Sequence, residues 1–527
     1  MSAASVREAV LDLLRGFGMT TIFGNPGSTE LPFFRDFPRD FRYVLGLQES
    51  VVLGMADGYA QATHNAAFVN LHSAVGVGHA MGNIFTAYRN HTPLVITAGQ
   101  QARAILPFEP FLFSQQAAEL PKPYVKWAVE PARAEDVPLA MARAYYTAMQ
   151  EPRGPVFVSV PADDWARPAE PLAPRTVATR IRPDPEMIGR IGAALDAARA
   201  PAFVIGAAID RAGAWDDVVA LAERHNARAW VAPMSGRCGF PEDHPLFAGF
   251  LRPMRDMIVR DLSGHDFVLA IGAPVFTYHV EGAGPHVPPG VQLAQLTEDA
   301  NIAAYSPLGD AAVGDVRLAV QDLLARPAPR PRGVPPPRPA RPRAAAPAAG
   351  ERVSAAFVLQ TLAELRDPAS VIVEEAPTAR APMHDYLPIL RSETFYTMDS
   401  GGLGYGIAAA VGMALARPKD KVIAVIGDGS AMYSIQALWS AAQLRLPITF
   451  LILNNGRYAA LQEFAPAFGF RKDEALPGTA LPAIDFGALA RGQGCEAVRV
   501  ERAEALRETL AGALRSPIPI LVDVVIA

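Results

Sequence analysis

The chain has 527 residues, half of them hydrophobic and 19% charged, which is apolar material enough for about three ordinary domains and excludes a globally disordered chain. A formal charge of −5 offers no basic field for a nucleic-acid backbone, and no run approaches the roughly 18 apolar residues of a membrane span. Two cysteines, Cys238 and Cys495, are too few for a disulfide framework or a cysteine-built metal cluster; with no secretory leader evident in MSAASVREAVLDLL, a cytoplasmic protein with a small-molecule partner is expected.

In chain order, Val6, Val10, Leu13, Leu14 and Phe17 recur at helical spacing, and Gly16 and Gly18 flank the stop. Then follow strand TTIFG, turn NPGS, strand YVLGL, helix ESVVLGMADGYAQAT, strand AAFVNLH, a small-residue helix over 75–88, strand PLVITAG and strand PVFVSVP. This alternation predicts a parallel sheet covered on both faces and a first domain over 1–170. A second run over 182–325 reads as helix MIGRIGAALDAA, strand PAFVIGAA, helix AWDDVVALAERH, and strands ARAWVAP, DFVLAIGA and VQLAQLT. Residues 326–350, dense in Pro, Arg and Ala without apolar periodicity, read as a semi-rigid extended linker.

The third domain, 351–527, reads as helix AAFVLQTLAEL, strand SVIVEE, helix GIAAAVGMALA, strand KVIAVIGDG, helix YSIQALWSAAQ, strand ITFLILNN and strand PILVDVVI. The fold class is therefore α/β, with three doubly wound parallel-sheet domains, the first and third alike in layout. The lysines are confined to Lys122, Lys126, Lys419, Lys421 and Lys472, so carbonyl chemistry calls for an electron sink other than a Schiff base.

The sharpest chemical feature is GDGS at the end of one strand and NNGRY at the end of the next, the edge where open parallel sheets bind ligands. Glycines on both sides of Asp428 let the backbone approach a bulky anion, and Asp428 and Asn455 offer the oxygen ligands that Mg²⁺ takes beside phosphate and water.

GDG, an intervening helix and NN resemble the thiamine diphosphate signature. FGNPGSTELPF, LQESVVLGMADGYAQA, NLHSAVGVGHAMG, IGAPVFTYH and GGLGYGIAAAVG are most similar to the benzoylformate decarboxylases within that superfamily. The resemblance spans the chain and implies pyrimidine-binding, middle and diphosphate-binding domains. It implies Mg²⁺ held by Asp428, Asn455 and the Arg457 carbonyl, and cofactor contacts from Gly401, Gly427, Gly429, Ser430, Tyr458 and Thr378. Leu403 would be the apolar wedge that keeps the cofactor bent.

By the same resemblance, Glu49 hydrogen-bonds the aminopyrimidine, although locally it also suits a helix N-terminus. Ser28 orients the substrate carboxylate, His72 and His279 move protons, and Phe111, Leu112, Ala460, Leu461 and Phe464 form the apolar substrate wall. The active site would lie between subunits of a homodimer, within a homotetramer. Three departures stand out: Ala376-Pro377-Thr378 where a Ser/Thr-rich run is expected, His79 in place of Asn, and the bulk of Phe111.

The expected reaction is non-oxidative decarboxylation of an aromatic 2-oxo acid, benzoylformate foremost, with side carboligation. The alternatives are a carboligase resembling benzaldehyde lyase or acetolactate synthase, and a non-catalytic metabolite-binding protein on the same fold.

Overall fold

The computed structural model describes residues 4–336, 338–348, 350–471 and 474–527; Lys472, and Pro337 and Ala349 of the linker, lie outside them. Its three six-stranded sheets are parallel throughout. The first joins Thr21–Gly24, Arg42–Leu45, Ala67–Leu71, Leu94–Gln100, Ala128–Val129 and Val156–Pro161. The third joins Val371–Glu375, Phe395–Tyr396, Val422–Gly427, Ile448–Asn454, Glu496–Val500 and Ile520–Val525. Counted within each sheet, both run 2-1-3-4-6-5, so the likeness in layout extends to strand order. The middle sheet, Pro201–Ile205 through Asp310–Val313, runs 3-2-1-4-5-6. Central strands such as Val422–Gly427 and Ile448–Asn454 are almost wholly buried, which is why they read as unbroken apolar runs.

Several elements escape the sequence pattern. Helix Val137–Met149, absent from the sequence pattern, follows Glu135 and Asp136 and carries the helix-starting Pro138 in its first turn. Helix Pro377–Tyr386 begins on Pro377, whose missing N–H falls where a helix leaves N–H groups unbonded anyway; Pro382 inside it masked the periodicity. The single helix expected over YSIQALWSAAQ is instead two, Asp428–Ser434 and Ala437–Gln443.

Helix Glu49–Thr63 packs against Gly406–Ala416 in one hydrophobic core shared by the first and third sheets. Backbones touch: a Cβ on Gly58 would lie 2.2 Å from the Ala409 carbonyl oxygen, and one on Gly412 1.9 Å from that of Met55. Alanine and glycine make up most of Gly406–Ala416, and Gly54 and Gly58 face it from the other helix, because larger residues at the contact would push the two apart.

All three parts meet at Arg237, whose side chain is 5% exposed. It donates to Asp210 Oδ2 (3.1 Å) and to Gln61 Oε1 (2.8 Å) and lies over the Tyr396 ring. Gln61 Nε2 passes the network to Asp57 (2.5 Å) and to the Tyr405 hydroxyl (3.0 Å).

Burial pushes the Asp57 carboxyl up to about 6, against the hydrogen bonds from Gln61 and Asn90. Between the unfolded value of 3.8 and about 6 the folded state therefore holds a proton that the unfolded chain has released, and stability falls as pH rises through that window. Asp57→Asn has no such proton to lose, so relative to wild type it should gain about 3 kcal/mol between pH 4 and 7. Thermal midpoints of both proteins across that range check this; a constant difference would mean that Asp57 does not titrate between the two states.

The stretch over 326–350 contains no helix or strand among its described residues, as expected, but it is more than a spacer. Arg332 donates to the carbonyls of Leu195 (2.6 Å) and Ala198 (2.7 Å) at the end of helix Pro185–Ala197, where carbonyls lack helical partners. Arg326 pairs with Asp196, and Arg338 with Asp385 of the third part. Its arginines bind this strap to the chain's own domains. Among the described residues no helix is long and apolar enough to cross a membrane.

Candidate active site

Two clusters form at the carboxyl edges of the first and third sheets. In the first sheet, Thr21–Gly24 runs into the turn carrying Ser28, and Ala67–Leu71 delivers His72. His72 Nδ1 lies 2.8 Å from Glu30 Oε2, an acceptor that assigns the proton to Nδ1 and leaves Nε2 free. Glu30, 1% exposed, also accepts from Gly27 N (2.9 Å), Gly99 N (2.9 Å) and the Thr29 hydroxyl (2.7 Å). Such a saturated carboxylate is a rigid support. Gly27 is glycine because a Cβ there would lie 2.1 Å from His72 Nδ1, and Gly99 because its Cβ would meet Glu30 Oε1 at 2.2 Å. Glu30 is the functional candidate that sequence reasoning missed.

Glu49 opens its helix but does not cap it. Gln48 does, its Oε1 accepting from Ser50 N (2.6 Å) and Val51 N (3.2 Å). Glu49, 9% exposed, bonds instead through Oε2 to His79 Nδ1 (3.1 Å). Ser28 is exposed on the same sheet edge.

In the third sheet, Gly427-Asp428 and Asn455 end the adjacent paired strands Val422–Gly427 and Ile448–Asn454. Asp428 accepts from Gly429 N (2.8 Å) and Gly456 N (2.6 Å), while Asn455 Oδ1 accepts from Arg457 N (3.0 Å). Burial pushes the Asp428 carboxyl up, against the pull of those two N–H groups, and a cation at its oxygens would oppose that push. Asp428, Asn455 and Arg457 line one cavity with Gly427, Gly429, Ser430, Tyr458, Thr378, Leu403 and Ala460. The donors are a carboxylate, an amide oxygen and a carbonyl, which fit a hard divalent cation shared with phosphate oxygens.

Leu403 reaches that cavity from a loop pinned by Glu375. One Glu375 oxygen accepts from Gly404 N (2.7 Å) and the other from Gly406 N, and burial pushes this carboxyl up to about 7. The cavity's lining lies wholly between residues 355 and 526, with nothing from the first sheet.

From the middle part, His279 stacks edge-on against Phe464, ring centroids 4.6 Å apart, which joins the second histidine to the candidate substrate wall. Other expected positions stand apart. Phe111 is 87% exposed and Leu461 57%, Leu112 holds a positive φ of 64°, and Gly401, at φ 72°, has open space around it. Within the chain none of these four lines the Asp428 cavity.

A further buried group surrounds Cys238. Potential ligand atoms of Cys238, Glu242 and His384 lie within 4.8 Å of one another. Glu242 Oε1 accepts from His384 Nδ1 (2.7 Å) and Cys238 Sγ (3.4 Å), and burial pushes the Cys238 thiol well up, so it keeps the proton a metal would displace.

Comparison with known proteins places these features. Residues 4–119 match the thiamine pyrophosphate enzyme N-terminal TPP binding domain, 188–323 its central domain and 378–524 its C-terminal TPP binding domain. A benzoylformate decarboxylase of Pseudomonas aeruginosa is 45% identical over 99% of this chain and 98% of its own. The solved thiamine diphosphate-dependent 4-hydroxybenzoylformate decarboxylase of Rhodococcus jostii RHA1 superposes with a TM-score of 0.96 at 41% identity, covering 99% of both chains. The benzoylformate decarboxylase of Polynucleobacter necessarius does so with a TM-score of 0.96 at 40% identity, covering 99% of this chain and 98% of its own.

Proposed function

The chain belongs to the thiamine pyrophosphate-dependent enzymes, and from that premise we propose that it decarboxylates an aromatic 2-oxo acid without oxidation, converting benzoylformate to benzaldehyde and CO2. The observation that carries this reading is the single cavity in which Asp428, Asn455 and Leu403 meet. When bound, thiamine diphosphate supplies the electron sink for the carbanion left by loss of CO2.

The protein does the rest. Asp428, Asn455 and the Arg457 carbonyl hold Mg²⁺, and Gly427, Gly429, Ser430, Thr378, Tyr458 and Gly401 contact the cofactor. Glu49 Oε1, without a hydrogen bond among the described residues, serves a ring nitrogen. Ser28 orients the substrate carboxylate, while His72 Nε2 and His279 move protons at the reacting carbon; two such histidines favour aldehyde release over ligation to a second carbonyl. Phe464, with Ala460, Leu461, Phe111 and Leu112, forms the wall that takes the aromatic ring.

The cavity's one-sided lining supports a homodimer in which the first domain of one subunit completes the site on the third domain of its partner. The exposure of Phe108 (80%) supports further pairing of dimers into a tetramer. The placing of one six-stranded sheet in each range supports domains over 1–170, 182–325 and 351–527, and two buried, unpaired cysteines suit the cytoplasm.

Substrate preference tests the aromatic assignment. Filling an apolar wall with a phenyl ring is worth about 2–3 kcal/mol, so benzoylformate should exceed pyruvate in kcat/KM by about a hundredfold. Equal values would overturn it.

The role of Glu30 has its own test. Glu30→Gln removes the charged acceptor that fixes the proton on His72 Nδ1, and kcat should fall about a hundredfold with KM little changed. Steady-state kinetics with benzoylformate decide it, and an unchanged kcat would detach His72 orientation from turnover.

A further inference from the structure

We propose that His79 is a positioning residue for Glu49, its Nδ1–H holding Oε2 so that Oε1 faces the cofactor's aminopyrimidine. This rests on the reading of Glu49 given above and adds to it the device that aims the carboxylate.

His79 lies on helix Ser73–Arg89, which runs beside the start of helix Glu49–Thr63. Successive turns of that helix meet the same short stretch of chain. At Gly76 a Cβ would stand at contact distance, 3.5 Å, from Glu49 Cγ and Oε1. At His79 the imidazole bonds Glu49 Oε2 at 3.1 Å. At Asn83 the side-chain amide bonds the carbonyl of Ser50 (2.7 Å) and that of Gly404 (3.2 Å), tying the position to the loop that carries Leu403. The spacing 76, 79, 83 is one helical face, devoted to Glu49 and its neighbour.

Of those contacts only the His79 bond acts on the carboxylate itself. Among the described residues no other protein donor bonds Glu49, so without His79 its side-chain torsions are restrained by packing alone. The bond is asymmetric in exposure: the Glu49 side chain is 11% exposed and that of His79 56%. A pair between two exposed side chains would be worth little; here the acceptor is shielded and the donor comes from a rigid helix. The exposed imidazole also means that its replacement opens no core cavity.

The test uses the full-length protein loaded with thiamine diphosphate and Mg²⁺, as wild type, His79→Leu, His79→Asn and Glu49→Gln. Deuterium exchange at C2 of the bound cofactor is quenched and read by NMR, with cofactor Kd by calorimetry and the thermal midpoint alongside. His79→Leu should slow C2 exchange by about tenfold or more, because a carboxylate displaced by even 1 Å loses its partner. Kd should move less than about threefold, since Mg²⁺ and diphosphate contacts carry affinity. His79→Asn, whose amide N–H can reach the same oxygen, should recover most of the rate.

Wild-type exchange in His79→Leu, or exchange in His79→Asn as slow as in His79→Leu, overturns the proposal while Glu49→Gln remains slow. Wild-type exchange in Glu49→Gln overturns the reading of Glu49 itself, and the proposal falls with it.

Discussion

Glu49→Gln is expected to lower turnover by about 10²–10³-fold while the protein stays folded, because the change removes a charge and almost no volume. Gln48 already satisfies the N–H groups of Ser50 and Val51, so the helix start does not depend on residue 49. The carboxylate is 9% exposed, and in such surroundings one charged hydrogen bond to a ring nitrogen outweighs its value in water. An amide can still accept a bond from His79 but cannot hold a ring proton as a carboxylate does. The measurement is kcat with benzoylformate at saturating cofactor, beside the thermal midpoint; unchanged kcat would remove Glu49 from the mechanism.

The second large effect is on retention of the cofactor. Asp428→Ala deletes the one carboxylate of the oxygen set, takes the side-chain acceptor from Gly429 N and leaves Gly456 N only its longer bond to Asn454 Oδ1 (3.2 Å). Loss of a charged ligand to Mg²⁺ should weaken Mg²⁺-dependent binding of thiamine diphosphate by about a hundredfold or more, so desalting in Mg²⁺ strips the variant but not the wild type. Normal retention would sink the ligand assignment. The same pair of variants probes the subunit arrangement. Mixed dimers of Glu49→Gln and Asp428→Ala chains have one intact site in two if the residues come from different subunits, and random mixing then restores about a quarter of wild-type activity. If both residues serve the same chain's site, mixing restores none.

Which parts of this were legible follows from how far each interaction reaches along the chain. GDGS and NNGRY announce themselves because each is a local strand end, and adjacent strand ends in a parallel sheet face one ligand. The long helices Glu49–Thr63, Ala355–Leu365 and Gly406–Ala416 match their expected limits, since their small and apolar residues form unbroken helical segments.

The supports of the site were not legible. Glu30 matters through Gly99 and His72, 69 and 42 residues away, and nothing in STE displays those partners. Glu375 matters through Gly404 and Gly406 on another loop. The linker read only as a spacer because the acceptors of its arginines, the carbonyls of Leu195 and Ala198 and the carboxylates of Asp196 and Asp385, lie far along the chain. His79 was visible only as a departure; its contact with Glu49 turns the departure into an arrangement.

The most direct test of the decarboxylase reading is a single reaction of the purified protein with thiamine diphosphate, Mg²⁺ and benzoylformate, in which CO2, benzaldehyde and benzoin-type products are followed together, with pyruvate in parallel. Equal release of CO2 and benzaldehyde, with little ligated product and little pyruvate turnover, is the predicted result. Turnover confined to pyruvate, or CO2 accompanied mainly by ligated product, would contradict it.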